Sequence, residues 1–465
     1  MIFERIESKG LSHFSYLISD EDQVVIIDPR RDCDIYIQKS TQIGTQITHI
    51  LETHRNEDYL IGSKELASRT NAQIWHADNH LDYQYGQGVE EGQKWKIGKL
   101  KLEAIHTPGH TPGSMSYLLR DPNGNPWIIF CGDTLFAGDV GRVDLMGIEK
   151  AKEMAGMLYD SVFNKILPLG DDIFVCPAHG AGSVCGSSIA PRTWTTIGLE
   201  RKLNPKLQAA DKDSFVSLVA QKLEQPLYFK YMEKWNVQGP PLLGIRPSPS
   251  PLSPPEFSEK KKENQVVDTR TELSFSSAYV PGSLSLWEGG IASFAGWFLS
   301  YDRPILLVNE TNNPSEQVRL LVRMGFDRIS GFLSGGMHSW LSQGMTSERV
   351  DTLIVQEFCH MLDQGDKAWI LDVRSQEELD QAGQIPGANH IRLTQLPQHM
   401  SEVPKDQRVY IFCGSGLRSM VAASLLKRLG WDQLCVILGG FAGWISTTCS
   451  IQREEKGPSN KKEEE

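Results

Sequence analysis

The stretch His106-Thr-Pro-Gly-His110-Thr-Pro-Gly-Ser-Met-Ser-Tyr117, followed by Ile128-Ile-Phe-Cys-Gly-Asp133-Thr-Leu-Phe136, decides how the first half of this chain is read. An apolar run that ends in Cys-Gly-Asp-Thr is a buried strand with a polar residue at its mouth, where α/β folds carry site residues. Asp133 is therefore a candidate ligand. The two Thr-Pro-Gly units make a rigid turn before a strand over 114–119, because proline presets φ and glycine permits the reversal. That turn aims His110 inward.

Working outward, 14–29 is predicted as a hairpin closed by Asp28-Pro29, with further strands over 47–51, 72–76, 100–105, 127–131 and 173–176. Helical spacing is confined to 60–69 and 148–166. Strands interleaved with a few helices predict a layered α/β sandwich over 1–238. At 465 residues the chain exceeds one ordinary core, and three domains are expected. Composition changes at Gly239-Pro-Pro241 and in Arg246-Pro-Ser-Pro-Ser-Pro-Leu-Ser-Pro-Pro255, so 239–260 is predicted to be an extended Pro-rich linker.

After it comes an internal repeat. Val266-Val-Asp-Thr-Arg270, Tyr279-Val-Pro-Gly-Ser283, Pro304-Ile-Leu-Leu-Val308 and Gly335-Gly-Met-His-Ser-Trp340 are echoed by Ile370-Leu-Asp-Val-Arg374, Gln384-Ile-Pro-Gly-Ala388, Val409-Tyr-Ile-Phe412 and Gly439-Gly-Phe-Ala-Gly-Trp444. Two small parallel sheets wound with helices are predicted, over 261–347 and 348–450, with Trp340 and Trp444 in their cores. The charged tail 451–465 is expected to be disordered.

A net charge of −11 and a pI near 5.6 argue against nucleic acid or an acidic membrane surface as partner. The eight cysteines contain no Cys-x-x-Cys pair, so neither a disulfide framework nor a zinc knuckle is predicted and reduced thiols in the cytoplasm are expected. Met1–Lys9 alternates charged and apolar residues rather than forming a leader, and no apolar run is long enough to span a membrane.

The strand over 47–51 runs into Glu-Thr-His54-Arg-Asn56-Glu-Asp58-Tyr59. Together with Thr-Pro-Gly-His110, Gly-Asp133-Thr and Pro-Ala-His179-Gly-Ala-Gly-Ser, this resembles the metallo-β-lactamase superfamily over most of 1–205. The segment from Asp133 to Gly141-Arg142-Val-Asp144 is most similar to its persulfide dioxygenase branch. The resemblance implies an αββα sandwich and one Fe(II) per chain on His54, His110 and Asp133. A mononuclear iron site needs two histidines and one carboxylate and leaves positions for substrate and O2. The superfamily pattern His-x-His-x-Asp-His is broken here, since Asn56 and Tyr59 stand where histidines are usual. A two-zinc hydrolase needs the full imidazole set, so the loss speaks against a thiol-ester hydrolase. Asn56, Asp58, Tyr59 and His179 would lie behind the ligands and orient them. Arg142 matches a position that helps bind the thiol carrier, with a structural pairing to Asp144 or Asp133 as an equal reading. Cys185 is either packing or a relay thiol. Cys131 and Cys176, in apolar strands, are expected to be buried filler.

In the second repeat, the strand over 409–412 ends in Cys413-Gly414-Ser415-Gly416-Leu417-Arg418-Ser419 before a helical run. A thiolate held by inward backbone N–H groups at a helix N-terminus is stabilised, so Cys413 is a candidate nucleophile. This loop and its flanks, over 350–447, resemble a rhodanese domain, whose cradle is one residue shorter than the related phosphatase loops and fits sulfur. Residues 414–417 with Ser419 would bind substrate, Arg418 would steady an anionic donor, and Ser419 is expected to cap the helix. In the first repeat Val308 is followed by Asn309, so that copy has no nucleophile.

The whole resembles persulfide dioxygenase–rhodanese fusions. The resemblance implies oxidation of persulfides of glutathione, coenzyme A or a similar thiol by O2 to sulfite, coupled to sulfane-sulfur transfer through Cys413 with thiosulfate as donor or product. The alternatives are a sulfurtransferase with a degenerate, metal-free first domain, and a non-enzymatic sulfur carrier. Homo-oligomerisation is left open.

Overall fold

The computed structural model describes residues 1–186 and 188–447; the expected tail at 451–465 lies outside them. The described chain divides into two compact units, Met1–Pro247 with Arg319–Asp327, and Ser248–Val318 with the chain from Arg328 onward.

The first unit is built on two six-stranded sheets. One takes β1 (Ile2–Ser8), β2 (His13–Asp20), β3 (Gln23–Ile27), β4 (Gln46–Leu51), β5 (Gln73–His76) and β6 (Gln87–Gly88) in that order. The other contains β7 (Lys94–Ile97), β8 (Leu100–His106), β9 (Met115–Arg120) and β10 (Pro126–Gly132). The small pair β11 (Leu135–Phe136) and β12 (Asp139–Val140) follows in sequence, and β13 (Phe174–Pro177) and β14 (Thr195–Thr196) complete the second sheet. Its order is β14-β13-β10-β9-β8-β7, with β10 and β13 parallel and the other neighbours antiparallel.

Period-2 alternation explains the layering. Tyr16, Ile18, Val25 and Ile27 point inward against Tyr117, Leu119, Ile128 and Phe130 of the other sheet. Their neighbours Leu17, Val24 and Ile26 face Tyr36 and Leu66 of the helices Asp34–Ile43 and Ser63–Thr70. On the far side, Leu118, Ile129 and Cys131 meet Met154, Leu158 and Val162. The result is the αββα sandwich. The helix predicted over 148–166 is present in three windings, a 3-10 turn Ile148–Lys150, an α-helix Ala151–Tyr159 and a π-wound stretch Asp160–Ile166. The alternation of Met1–Lys9 is that of β1, an edge strand.

The second unit holds two five-stranded, all-parallel sheets. The first takes β15 (Pro251–Leu252), β16 (Gln265–Asp268), β17 (Leu284–Ser285), β18 (Ile305–Val308) and β19 (Ile329–Leu333). The second takes β20 (Asp351–Ile354), β21 (Trp369–Asp372), β22 (Ala388–His390), β23 (Val409–Phe412) and β24 (Leu434–Leu438). Their spatial orders, β15-β19-β18-β16-β17 and β20-β24-β23-β21-β22, are one topology twice. Trp340 and Trp444 are buried in the respective cores.

The linker expectation needs correction for 251–260. Pro251–Leu252 pairs as an edge strand, where proline's missing N–H is tolerated. Pro254–Lys260 is a helix with proline in its first turn and a capping box between Ser253 and Glu256. The expectation of reduced thiols also needs correction at one position: Cys359 is disulfide-bonded, while Cys33, Cys131, Cys176, Cys185, Cys413 and Cys435 are free and buried. Among the described residues no helix is long and apolar enough to cross a membrane.

Phe130 is fully buried between the sheets, with its ring 5.1 Å from Tyr16 and 6.0 Å from Phe3. Phe130→Ala is expected to lower the unfolding free energy of this unit by about 3–5 kcal/mol, measured by denaturant titration.

Candidate metal centre and sulfur-transfer loop

One edge of the sandwich collects the ends of β3, β4, β10 and β13 and the turn between β8 and β9. These deliver Asp28, His54, Asp133, His179 and His110 respectively, each of them buried. The turn carrying His110 packs tightly: a side chain at Gly109, whose φ is +145°, would meet Leu158 Cβ at 2.4 Å. Glycine is required there.

Each imidazole is oriented by its other nitrogen. Thr53 Oγ1 donates to Asp28 Oδ2 (2.7 Å) and stands 2.9 Å from His54 Nδ1, which is left to donate to it. His110 Nδ1 donates to the Arg142 carbonyl at 2.9 Å. Both arrangements leave Nε2 as the inward atom, and a ligand histidine is commonly held in this way. His54 Nε2 and His110 Nε2 lie 3.7 and 3.5 Å from Asp133 Oδ2. His179 Nδ1 donates to Asp133 Oδ1 at 2.8 Å, and its Nε2 stands 3.0 Å from Asp58 Oδ2. Burial opposes the charged form of His179, but Asp133 and then Asp58 outweigh it and hold its pKa well above the usual range.

Two groups of side chains converge. Ligand atoms of Glu57, His110, Asp133 and Cys185 all lie within 4.8 Å of one another, as do those of Asp58, His179 and Cys185. His54 reaches Asp133 but belongs to neither group. Inside the cluster, His54 Nε2, His110 Nε2, Glu57 Oε2, Asp58 Oδ1 and the Tyr59 hydroxyl are buried without hydrogen-bond partners. Unpaired lone pairs on imidazole and carboxylate are what a divalent ion satisfies, so this donor set fits a metal.

Several contributors carry no sequence signal. Glu57 falls in the variable slot of the superfamily pattern, yet its Oε1 is 3.1 Å from His110 Nε2. Asn236, 180 residues from Asn56, donates to the carbonyls of Asn56 and Tyr59 and accepts from Ile61 N–H, fixing the loop. Asp78 accepts from Arg55 N–H, the Thr111 hydroxyl and Gly113 N–H, tying the His54 loop to the His110 turn.

Arg142 makes the structural pairing that was one of its two expected readings. Its guanidinium clamps Asp144 through Nε and Nη2 at 2.8 and 2.9 Å and reaches the Val184, Leu223 and Glu224 carbonyls. Its side chain is buried. Its role here is positional: its backbone N–H donates to the Cys185 carbonyl while its own carbonyl accepts from His110. Cys185 is fully buried, and desolvation with Asp58 nearby pushes its thiol well up. Tyr59, in place of the usual histidine, packs its ring 4.0 Å from His13. Asn56 Nδ2 turns back to the His54 carbonyl at 3.2 Å. Cys131 and Cys176 are both buried.

In the second unit, Cys413 is buried at the end of β23, and Gly416 N–H donates to its Sγ at 3.0 Å. The carbonyls of Cys413, Gly414 and Ser415 accept from Phe441, Ala442 and Gly439 N–H at 2.8–3.1 Å. With its carbonyls so engaged, the loop's N–H groups are free to turn toward the sulfur. A side chain at Gly440 would meet the Cys413 carbonyl at 2.4 Å, which is why the Gly439-Gly440 pair follows β24. The helix Leu417–Arg428 starts at this loop and adds its N-terminal partial charge. Ser419 is not its cap: Gly416 occupies that position, and the Ser419 hydroxyl is buried and unpaired one turn in. Arg418 is held bidentately by Glu378 at 2.6 Å, on the rim of the loop. In the first repeat Asn309 follows β18 and its amide bonds to Thr311.

Asp78→Ala leaves two amide N–H groups without their acceptor and is expected to cost about 2–4 kcal/mol in thermal or denaturant unfolding. Glu378 is a depressed carboxylate: burial opposes it, but Arg418 brings its pKa down to about 2. Its stabilisation is therefore present above the ordinary glutamate range and lost as pH falls through about 2. An acid titration of Glu378→Gln against wild type is expected to lack that limb.

A model of the metallo-beta-lactamase superfamily matches residues 9–179, and a rhodanese-like domain model matches 253–343 and 355–447. The chain is 29% identical over 201 residues to human persulfide dioxygenase ETHE1, mitochondrial, covering 42% of this chain and 71% of that protein. It is 26% identical over 216 residues to hydroxyacylglutathione hydrolase GloC of Haemophilus influenzae, covering 42% and 92%. A crystal structure of a metallo-beta-lactamase from Staphylococcus aureus superposes with a TM-score of 0.64 at 29% identity, covering 72% of this chain and 98% of that one. Both relatives are enzymes by name. The chain thus joins a metallo-beta-lactamase superfamily domain to two rhodanese-like domains, in the architecture of a persulfide dioxygenase–rhodanese fusion.

Proposed function

We propose that this protein oxidises low-molecular-weight persulfides to sulfite at one Fe(II) centre on His54, His110 and Asp133, and transfers sulfane sulfur through Cys413. The observation that carries this reading is the pair of Nε2 atoms, each fixed by a hydrogen bond at Nδ1, lying 3.7 and 3.5 Å from one Asp133 oxygen. Iron bound there supplies the redox chemistry that combines a persulfide sulfur with O2. In the balanced reaction R–S–SH, O2 and water give R–SH, sulfite and two protons, the third sulfite oxygen coming from water.

The chain's own residues do the positioning. Thr53 and the Arg142 carbonyl keep the two imidazoles in the tautomer that presents Nε2. His179, charged between Asp133 and Asp58, holds the Asp133 carboxylate through both oxygens, at 2.8 and 3.0 Å. Asn56 and Tyr59 leave too few imidazoles for a two-metal hydrolase. At Cys413, attack on thiosulfate breaks its S–S bond, forms the cysteine persulfide and releases sulfite; the reverse step returns thiosulfate. The Gly416 N–H that donates to the sulfur lowers the cost of its negative charge.

A sulfurtransferase acting alone is the second reading. What favours it is internal neutralisation of the first site, with His110 against Glu57 and His179 between two carboxylates. Plasma mass spectrometry of the purified protein, with oxygen uptake on glutathione persulfide, separates the two. Near-stoichiometric iron with uptake, both lost in His110→Ala, is expected. Cys413→Ser should abolish thiocyanate formation from thiosulfate and cyanide while oxygen uptake persists. Absence of metal and uptake, with thiocyanate formation intact, would leave the second reading.

A further inference from the structure

We propose that Glu57 is a metal ligand of this protein, joining His110 Nε2 and Asp133 around the ion, beside His54. The inference rests on the metal-binding reading above and adds one carboxylate to its ligand set. His54 Nε2, 3.7 Å from Asp133, lies on the rim of that set.

Glu57 is wholly buried, as are His110 and Asp133. Its Oε1 stands 3.1 Å from His110 Nε2 and 3.6 Å from Cys185 Sγ, and its Oε2 has no hydrogen-bond partner. His110 Nε2 is likewise unpartnered by hydrogen-bond geometry, because the contact to Glu57 is close but not directed as a donor bond. Ligands at about 2.1 Å from one ion stand about 3.0 Å apart when adjacent. The Glu57–His110 spacing of 3.1 Å matches an adjacent pair, and the His110–Asp133 spacing of 3.5 Å needs only a small contraction.

The loop explains why this glutamate points inward. Asn236 holds the Asn56 and Tyr59 carbonyls, Asp58 is drawn to His179, and the intervening residue is turned onto His110. Asn56, whose amide nitrogen donates to the His54 carbonyl, offers neither an imidazole nor a carboxylate. Exchanging an imidazole for a carboxylate moves the site toward harder ions, so Fe(II) or Mn(II) is favoured relative to Zn(II). Two carboxylates also balance the charge of a divalent ion in a buried site.

The test uses the full chain, stripped of metal and reloaded anaerobically with Fe(II), with affinity read by competition against a chromophoric chelator. Co(II) loading adds the visible spectrum as a report on coordination. Glu57→Ala is expected to weaken Fe(II) at least tenfold and to change the Co(II) bands, while Lys96→Ala, at an exposed position of β7, stays within twofold of wild type. Glu57→Gln preserves the shape if the alanine variant unfolds, and it too should weaken binding. Wild-type iron binding with unchanged affinity and spectrum in both Glu57 variants would overturn this inference alone. A wild-type chain that takes up neither ion would overturn the metal reading with it.

Discussion

The buried charges at one edge of the sandwich constrain the N-terminal unit most. Glu57, Asp58 and Asp133 are removed from water together with His54, His110 and His179. A buried carboxylate without a partner costs several kcal/mol, so none of the six is tolerable without the others or without an ion among them. The surrounding hydrogen bonds follow from that demand. Asp28, Asp78 and Asn236 each spend a buried polar side chain on backbone or hydroxyl groups of the loops that carry the cluster. Arg142 reinforces the far side, linking the His110 turn to the Cys185 loop through its backbone.

The sulfur-transfer loop solves a related problem with the backbone alone. A buried sulfur at Cys413 receives the Gly416 N–H, and the sheet topology holds the loop that presents it. Because β23 and β24 are parallel neighbours, the loops at their ends lie side by side, and the Gly439–Ala442 N–H groups take the carbonyls of the Cys413 loop. The first repeat keeps the same strand order and the same Asp–Arg clamp, Asp268–Arg270 matching Asp372–Arg374, but places Asn309 where the thiol would be. The architecture is retained without the cysteine.

Much of this was legible from residues alone, for identifiable reasons. The sandwich strands alternate with period 2, and His110 and Asp133 follow rigid turns or strand ends. Where the reading failed, a second influence dominated. Proline content suggested that 251–260 was a spacer, but Ser253 and Glu256 form a capping box and Pro251 sits on an edge strand, where its composition is no obstacle. Ser419 was expected to cap the helix, yet the loop ends in a left-handed Gly416, which places the cap three residues earlier.

The sequence by itself determined the three-part organisation, the duplicated sheets, the Cys413 loop and the residue types available for a metal. These depend on local spacing and turn chemistry, which neighbouring residues encode. Only the tertiary structure decided how those residues are used. It turned Glu57 toward His110, committed Arg142 to Asp144, and recruited Asn236 from far along the chain, because packing and the satisfaction of buried polar groups are settled between segments remote in sequence.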